Sequence, residues 1–444
     1  MRAAGVELRG ARALVVGLGK SGLAAVELLV REGASTAACD MKPAHEAARL
    51  GAEFVAYTPE AAANRDIVIA SPGVSPDTAV LAAARAAGVP IIGDLELAAY
   101  FLLGPAIAIT GSNGKTTTTA LCFHILRECG IEAQVGGNIG TAPASMVASS
   151  RADRWNVLEV SSFQAETLDR FRAAIAVCTN LTPDHLDRHG SMEAYAAAKG
   201  RLFATQDESG RAVLNADDPW CVSYARGAKS QPFWFSASHA VDPGAWSVDG
   251  QLFLHGKPLL RREEIPLRGM HNVENVLAAS AAAYLAGAPE EGIAAAVRVF
   301  PGVEHRLEFV RRMGGVDYFN DSKATNVDAA LKALDAFDGG VWIILGGKDK
   351  GGEYAPLRDS LTAKAKAALL VGAAGPKIGD EIRGAVETEA CGTIAAALEH
   401  ARRHARPGDT VLLAPACASF DQFDNFEHRG RVFKEIVRGW KESE

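Results

Sequence analysis

Short apolar runs alternate with amphipathic helical stretches along most of the chain, the pattern of βαβ units built around parallel sheets. Residues 11–17 (ARALVVG) read as a buried strand, followed by a glycine turn and a helix over about 21–32. Further strands are predicted at 66–70 and 89–92. The pattern restarts near Asp94, with a strand at 105–110, a glycine loop, a helix at 115–129, and strands at 155–160 and 173–179. Residues 231–260 break into short β segments interrupted by Gly and Pro, which predicts a small antiparallel insert; helices follow at 271–286 and 289–299. A third unit begins near Gly302, with strands at 315–320, 340–345, 366–371 and 409–413. The expected fold class is therefore α/β in three successive domains. Residues 1–94 and 303–444 would be Rossmann-like. Residues 95–302 would form a central P-loop-type parallel sheet carrying the insert.

A length of 444 residues supports more than one core. Hydrophobic residues at 48% and charged residues at 22% are ordinary for a globular protein. A net charge of −7 argues against a general nucleic-acid binder, yet leaves room for a local basic site that holds an anionic substrate. The seven cysteines include no CxxC pair, so reduced, mostly buried thiols are expected rather than disulfides or zinc. The N-terminal segment MRAAGVELRG lacks the apolar stretch of a signal peptide, and no run reaches the ~20 residues of a membrane span. A cytoplasmic protein without a membrane span is the expectation.

Two glycine loops carry candidate chemistry. The first, GLGKSG at 17–22, follows a strand and precedes a helix, and Asp40 closes the next strand. Glycines let the backbone approach a pyrophosphate, and the helix N-terminus supplies N–H groups. Alone, this motif fits an NAD site, another pyrophosphate such as that of a UDP-linked substrate, or a bare turn. The second, TGSNGKTT at 110–117, lies between an apolar strand and a helix, as a phosphate-binding loop requires, although Ile109 stands where the longer pattern has its first glycine. Lys115 can reach the β/γ-phosphates and the Thr116 hydroxyl can ligate Mg²⁺. A nucleoside triphosphate site demotes the dehydrogenase reading and leaves kinase, ATPase and ligase.

Glu159, at a strand end near that loop, suits Mg²⁺. In TNLTPDHLDRHG, 179–190, His185 and His189 have helical zinc-ligand spacing, but Leu186 breaks the protease pattern and Asp184 and Asp187 favour a hard cation. Chemistry alone leaves His185 between a functional member of this cluster and a solvated loop histidine. Lys199, in YAAAK, reads as a surface lysine.

TGSNGKTT, LEVSSFQ, NLTPDHLDRH, YAAAK, GMHNVENVLAA, EHRLE, NDSKATN, LGGKDKGG and ACASFDQFDNFEHRG occur in that order. Together they resemble the Mur ligase family, most closely its D-glutamate-adding branch, over residues 17–430. The resemblance implies an ATP-dependent amide ligase of peptidoglycan precursor synthesis, working through an acyl phosphate. Its implied substrates are UDP-N-acetylmuramoyl-L-alanine, D-glutamate and ATP, with two Mg²⁺ ions, in a monomer. ATP would be held by Gly111, Ser112, Asn113, Gly114, Lys115, Thr116, Thr117, Asn272, Asn275, Arg306 and Asp321. The UDP-linked substrate would meet Lys20, Ser21, Asp40, Lys42, Gly73, Asn138 and His185; D-glutamate would meet Lys323, Thr325, Lys350, Ser419 and Phe426. Metal ligands would be Thr116, Glu159, His185 and Lys199, the last as a CO₂-derived carbamate; Lys115, Glu159, His185 and Lys199 would carry catalysis. One departure is that the family often has Thr-Arg after the acid at position 40. Here Met41 and Lys42 follow, and Lys42 keeps a charge but not the planar fork.

Overall fold

A computed structural model describes residues 2–42, 45–349 and 351–440. The chain divides into two compact units, Met1–Glu264 with Glu274–Phe300, and Ile265–Val273 with Pro301–Glu444.

The first unit holds two large sheets. One has five parallel strands in the order Glu53–Phe54, Ser35–Cys39, Arg12–Val16, Ile67–Ala70, Ile91–Gly93. The Arg12–Val16 strand is apolar on both faces, as a strand covered on two sides must be, and its last four residues are buried. The helix Lys20–Arg31 lays Ala24, Ala25, Leu28 and Leu29 into the same core. The other sheet has nine strands, in the order Lys257–Arg261, Gln251–Leu254, Gly244–Val248, Gln231–Ser236, Arg211–Asn215, Ile175–Cys178, Ala106–Thr110, Trp155–Glu159, Ala133–Gly137. Pairing is parallel from Ala133–Gly137 as far as Gly244–Val248. Only the last two pairings, on either side of Gln251–Leu254, are antiparallel. The segment expected as an insert therefore does hold antiparallel pairs, but they extend the main sheet rather than forming one of their own. At that edge Lys257 pairs with Glu290 at 2.9 Å and Pro258 is part of the outermost strand.

The second unit is a six-stranded sheet in the order Glu308–Met313, Val316–Asn320, Thr410–Leu413, Val341–Gly346, Ala365–Val371, Glu387–Gly392. All pairs are parallel except the first. Its two faces bury separate apolar clusters, one around Leu334, Ile343 and Leu412, the other around Tyr318, Leu398 and Phe433. In both units the loops at the C-terminal ends of parallel strands carry the sequence motifs, the usual place for a ligand in such sheets. All seven cysteines are free and five are buried. Among the described residues no helix is long and apolar enough to cross a membrane.

Candidate active site

The strand Ala106–Thr110 ends in the second glycine loop, and the helix Lys115–Glu128 begins at its close. Two glycines there are obligatory. Gly111 has φ 137, and a Cβ on it would lie 2.0 Å from Thr179 Oγ1; Gly114 has φ 83, and its Cβ would lie 2.1 Å from Asn275 Oδ1. The loop is held from the neighbouring strand end by residues the motif reading gave no role. Thr179 Oγ1 donates to Asn113 O at 2.6 Å, Asn180 Oδ1 accepts from Asn113 N at 3.0 Å, and Ser112 Oγ meets Thr182 and Tyr195 OH. Their signal was only their place after an apolar strand facing the loop. Lys115 Nζ folds over the loop, donating to Gly111 O at 2.9 Å and Ser112 O at 2.7 Å.

Glu159 is buried where this loop meets the GGNIG segment. Thr116 Oγ1 donates to its Oε2 at 2.8 Å, and Asn138 Nδ2 to its Oε1 at 2.9 Å. Three expected site residues are thus joined through one carboxylate. Hard oxygen donors converging beside a phosphate-type loop fit Mg²⁺.

Lys199 corrects the surface reading made from its helix alone, since it is 1% exposed. Its Nζ donates to Gly111 O at 2.8 Å and lies 4.7 Å from the Tyr195 ring centroid. Burial, reinforced by the charge of Lys115, brings its pKa down to about 7. A buried lysine of that kind can present a neutral, nucleophilic amine near neutral pH. His185 has φ 52, in the left-handed region that His255 and His305 also adopt. Its ring packs 4.8 Å from that of Phe163 and its Nε2 is 3.6 Å from Asp184 Oδ2.

At the first glycine loop, Gly17 has φ 86, and a Cβ on Gly22 would lie 1.9 Å from Gly17 O, so helix and turn pack with no room for a side chain. Asp40 accepts from Leu18 N at 2.6 Å and Lys42 N at 2.9 Å, so its carboxylate shapes the loop itself. Lys20 reaches Gly140 O, next to Asn138's segment. Ser71, two residues before Gly73, donates to Gly17 O at 2.7 Å. Ser21 is the second residue of the helix Lys20–Arg31, while Met41 is 83% exposed.

In the second unit, Asn272 and Arg306 line one cavity of about 230 Å³, together with Pro266, Val303, Leu307 and Phe309. Asp321 is buried, one carboxylate oxygen has no partner, and burial pushes its pKa up to about 6. An orphaned buried acceptor suits a ligand hydroxyl. Lys323 Nζ lies 5.4 Å from the Phe426 ring centroid, and Ser322 Oγ donates to Phe426 O at 2.8 Å. Arg429, 1% exposed, ties the Lys323 and Ser419 segments by donating to Ser322 O, Cys417 O and Ala418 O. Thr325 lies on the loop after Lys323 and is half-buried. Lys350 lies outside the described residues. Glu304, His305 and Glu308 cluster with ligand-like spacing, but Lys434 Nζ already sits between the two carboxylates.

Comparison with known proteins agrees with these motifs. Residues 11–93 match the Mur ligase MurD-like N-terminal domain, 109–283 the Mur ligase middle domain, and 305–417 the Mur ligase glutamate ligase domain. The chain is 57% identical over 437 residues to UDP-N-acetylmuramoylalanine--D-glutamate ligase of Solibacter usitatus, covering 98% of this chain and 99% of that one. It is 50% identical to the protein of the same name from Acidobacterium capsulatum, covering 97% of each. Among solved structures, UDP-N-acetylmuramate-alanine ligase of Thermotoga maritima superposes with a TM-score of 0.63 at 19% identity, over 97% of this chain and 100% of that one. A pseudomurein peptide ligase from Methanothermus fervidus gives 0.62 at 17%, with the same coverage.

Proposed function

The chain belongs to the Mur ligase family, and we propose that within it the protein joins D-glutamate to UDP-N-acetylmuramoyl-L-alanine using ATP. This is an amide-forming step of peptidoglycan precursor synthesis, placed in the cytoplasm where ATP and UDP-linked precursors are available. The NAD-dehydrogenase reading of the first glycine loop falls away.

The observation that carries the reading is Glu159 held between Thr116 and Asn138. It joins the phosphate loop to the segment assigned to the sugar-peptide substrate. The substrate carboxylate attacks the γ-phosphate of ATP, giving an acyl phosphate and ADP. The amine of D-glutamate then attacks the acyl carbon, and phosphate leaves from the tetrahedral intermediate. Little covalent work falls to the protein, so positioning and charge neutralisation dominate. Gly111 to Thr117 cradle the phosphates, with Lys115 turning from loop carbonyls to phosphate oxygens. Mg²⁺, two ions in this reading, would be held by Thr116, Glu159, His185 and carbamylated Lys199, and would offset phosphate charge. Carbamylation needs the neutral amine to add CO₂ and release a proton, which a pKa of about 7 favours. Asn272, Asn275, Arg306 and Asp321 would hold the nucleoside. Lys20, Ser21, Asp40, Lys42, Gly73, Asn138 and His185 serve the UDP-linked substrate. Lys323, Thr325, Lys350, Ser419 and Phe426 serve D-glutamate, whose two carboxylates call for cations and hydroxyls.

The test is phosphate release from ATP in the presence of UDP-N-acetylmuramoyl-L-alanine and a panel of amino acids. Release should require both the UDP-linked substrate and D-glutamate. Equal turnover with L-glutamate, or turnover without the UDP-linked substrate, would overturn the assignment.

A further inference from the structure

The segment carrying His185 and the loop carrying Gly73 are bridged by side chains outside the assigned set. Arg188, three residues beyond His185, donates from one guanidinium nitrogen to Val74 O at 2.8 Å and from the other to Glu166 Oε2 at 2.8 Å. Its Cζ lies 4.5 Å from the centroid of Phe163, the ring that also packs on His185. The second oxygen of Glu166 is 3.3 Å from His189 Nδ1, and His189 Nε2 is 3.0 Å from Ser162 Oγ. With Nδ1–H assigned to the carboxylate, Nε2 is left to accept from the serine hydroxyl. Burial lowers the pKa of His189 and favours this neutral form. One arginine–glutamate–histidine chain therefore fastens three segments: the loop after the strand Ile67–Ala70, the turn after Glu159, and the turn of His185.

Two features give such a fastening a task. The loop packs against the core through Val74, but it also borders a cavity of about 360 Å³, lined by Ser71, Pro72, Val74, Phe163, Glu166 and Arg188 among others. A loop backed on one side only samples more conformations than a fully packed one, and only a fixed one contributes fully to binding. His185, in turn, holds a left-handed backbone, and the Phe163 ring that packs on it is the one under the Arg188 guanidinium. The planar fork of Arg188 can satisfy a carbonyl and a carboxylate at once, which a lysine ammonium on a flexible stem does less well. The pair is also well enclosed, with Arg188 side chain 14% and Glu166 24% exposed.

We propose that Arg188, with Glu166 as its counter-charge, is a positioning residue that sets the Gly73 loop and His185 in one geometry to receive the UDP-linked substrate. This rests on the function proposed above. Arg188→Met keeps the aliphatic stem and removes the fork. Its KM for UDP-N-acetylmuramoyl-L-alanine should rise about tenfold, while the KM values for ATP and D-glutamate stay within about twofold. Glu166→Gln, nearly isosteric, should shift the same KM in the same direction and keeps the test open if the arginine variant folds poorly. Arg188→Lys should recover little. The double variant should be no worse than Arg188→Met, since both changes break one device. Unchanged KM values with only a lower Tm, or additive effects in the double variant, would overturn the proposal. The parent enzyme separates the two layers of argument. Phosphate release by the parent that does not require both the UDP-linked substrate and D-glutamate would sink the functional assignment itself, whereas a parent with that requirement beside normal Arg188→Met and Glu166→Gln would sink the positioning role alone.

Discussion

Lys199 is a cation built into a place that disfavours cations. Its pKa in the fold is about 7, against an ordinary 10.5. Between those values the unfolded chain binds a proton that the folded chain does not, so stability rises with pH across that window. Below it the folded protein carries the full cost of a buried charge. Lys199→Met, in CO₂-free buffer, should therefore be more stable than the parent by on the order of 2–4 kcal/mol at pH 6, with the gap closing towards pH 10. Parallel stability curves from urea titrations across that range would refute the assignment of this burial cost. The same variant should be nearly inactive, with partial rescue of Lys199→Ala by short carboxylates and not by amines. Asp321 has the opposite sign. Its pKa is raised from 3.8 to about 6, so its stabilising proton is present at low pH and is lost as pH rises through that value. Asp321→Asn should gain roughly 2–3 kcal/mol of stability at pH 7.5 while raising the ATP KM about tenfold. A loss of stability on that change would mean the orphaned oxygen is not under strain. Neither burial was legible in the sequence. The helix Met192–Ala204 is only weakly amphipathic, so its pattern does not mark Lys199 as interior; the strand end and loop that its Nζ meets make it so.

Elements with strong local patterns were legible almost to their ends. The strand expected at 105–110 is Ala106–Thr110, and the helix expected at 115–129 is Lys115–Glu128, because an apolar run, a glycine break and a helical repeat each leave a mark. Ala133–Gly137 and Arg211–Asn215 were not expected as strands, and two further strands left no such mark. Glu308–Met313 and Glu387–Gly392 lie at opposite edges of their sheet, with most side chains partly or fully exposed, so neither shows an apolar run. The 231–260 region showed its strands but not their partners, since pairing across a sheet is settled by packing rather than by neighbours in sequence. The loop itself offers a sharp test. Gly114→Ala adds a Cβ at a positive φ and 2.1 Å from Asn275 Oδ1. It should cost about 1–3 kcal/mol of stability and raise the ATP KM at least tenfold. Nucleotide binding at parental affinity, measured by calorimetry, would show that the loop tolerates another shape.

At the scale of the whole molecule the sequence suggests three α/β segments, and three family domains match the chain in that order, at 11–93, 109–283 and 305–417; by packing, the first two sheets fall within one compact unit. Internal pattern cannot reveal which segments bury surface against each other. The helix Met270–Leu285 illustrates the point: its pattern is continuous, yet Asn272 falls in one unit and Asn275 in the other. The edge of the nine-stranded sheet has a different bearing. An exposed strand edge is a template for any other chain that can offer its own backbone. Lys257–Arg261 carries a proline that cannot donate and charged residues at both ends. The replacement of Lys257 and Pro258 together by valine should leave the fold intact yet make the protein self-associate on concentration, visible by light scattering. A monodisperse solution of that variant would show the edge is guarded elsewhere. If the guard is as described, two residues far from the chemistry decide whether this protein stays dispersed in a crowded cell or polymerises by strand addition.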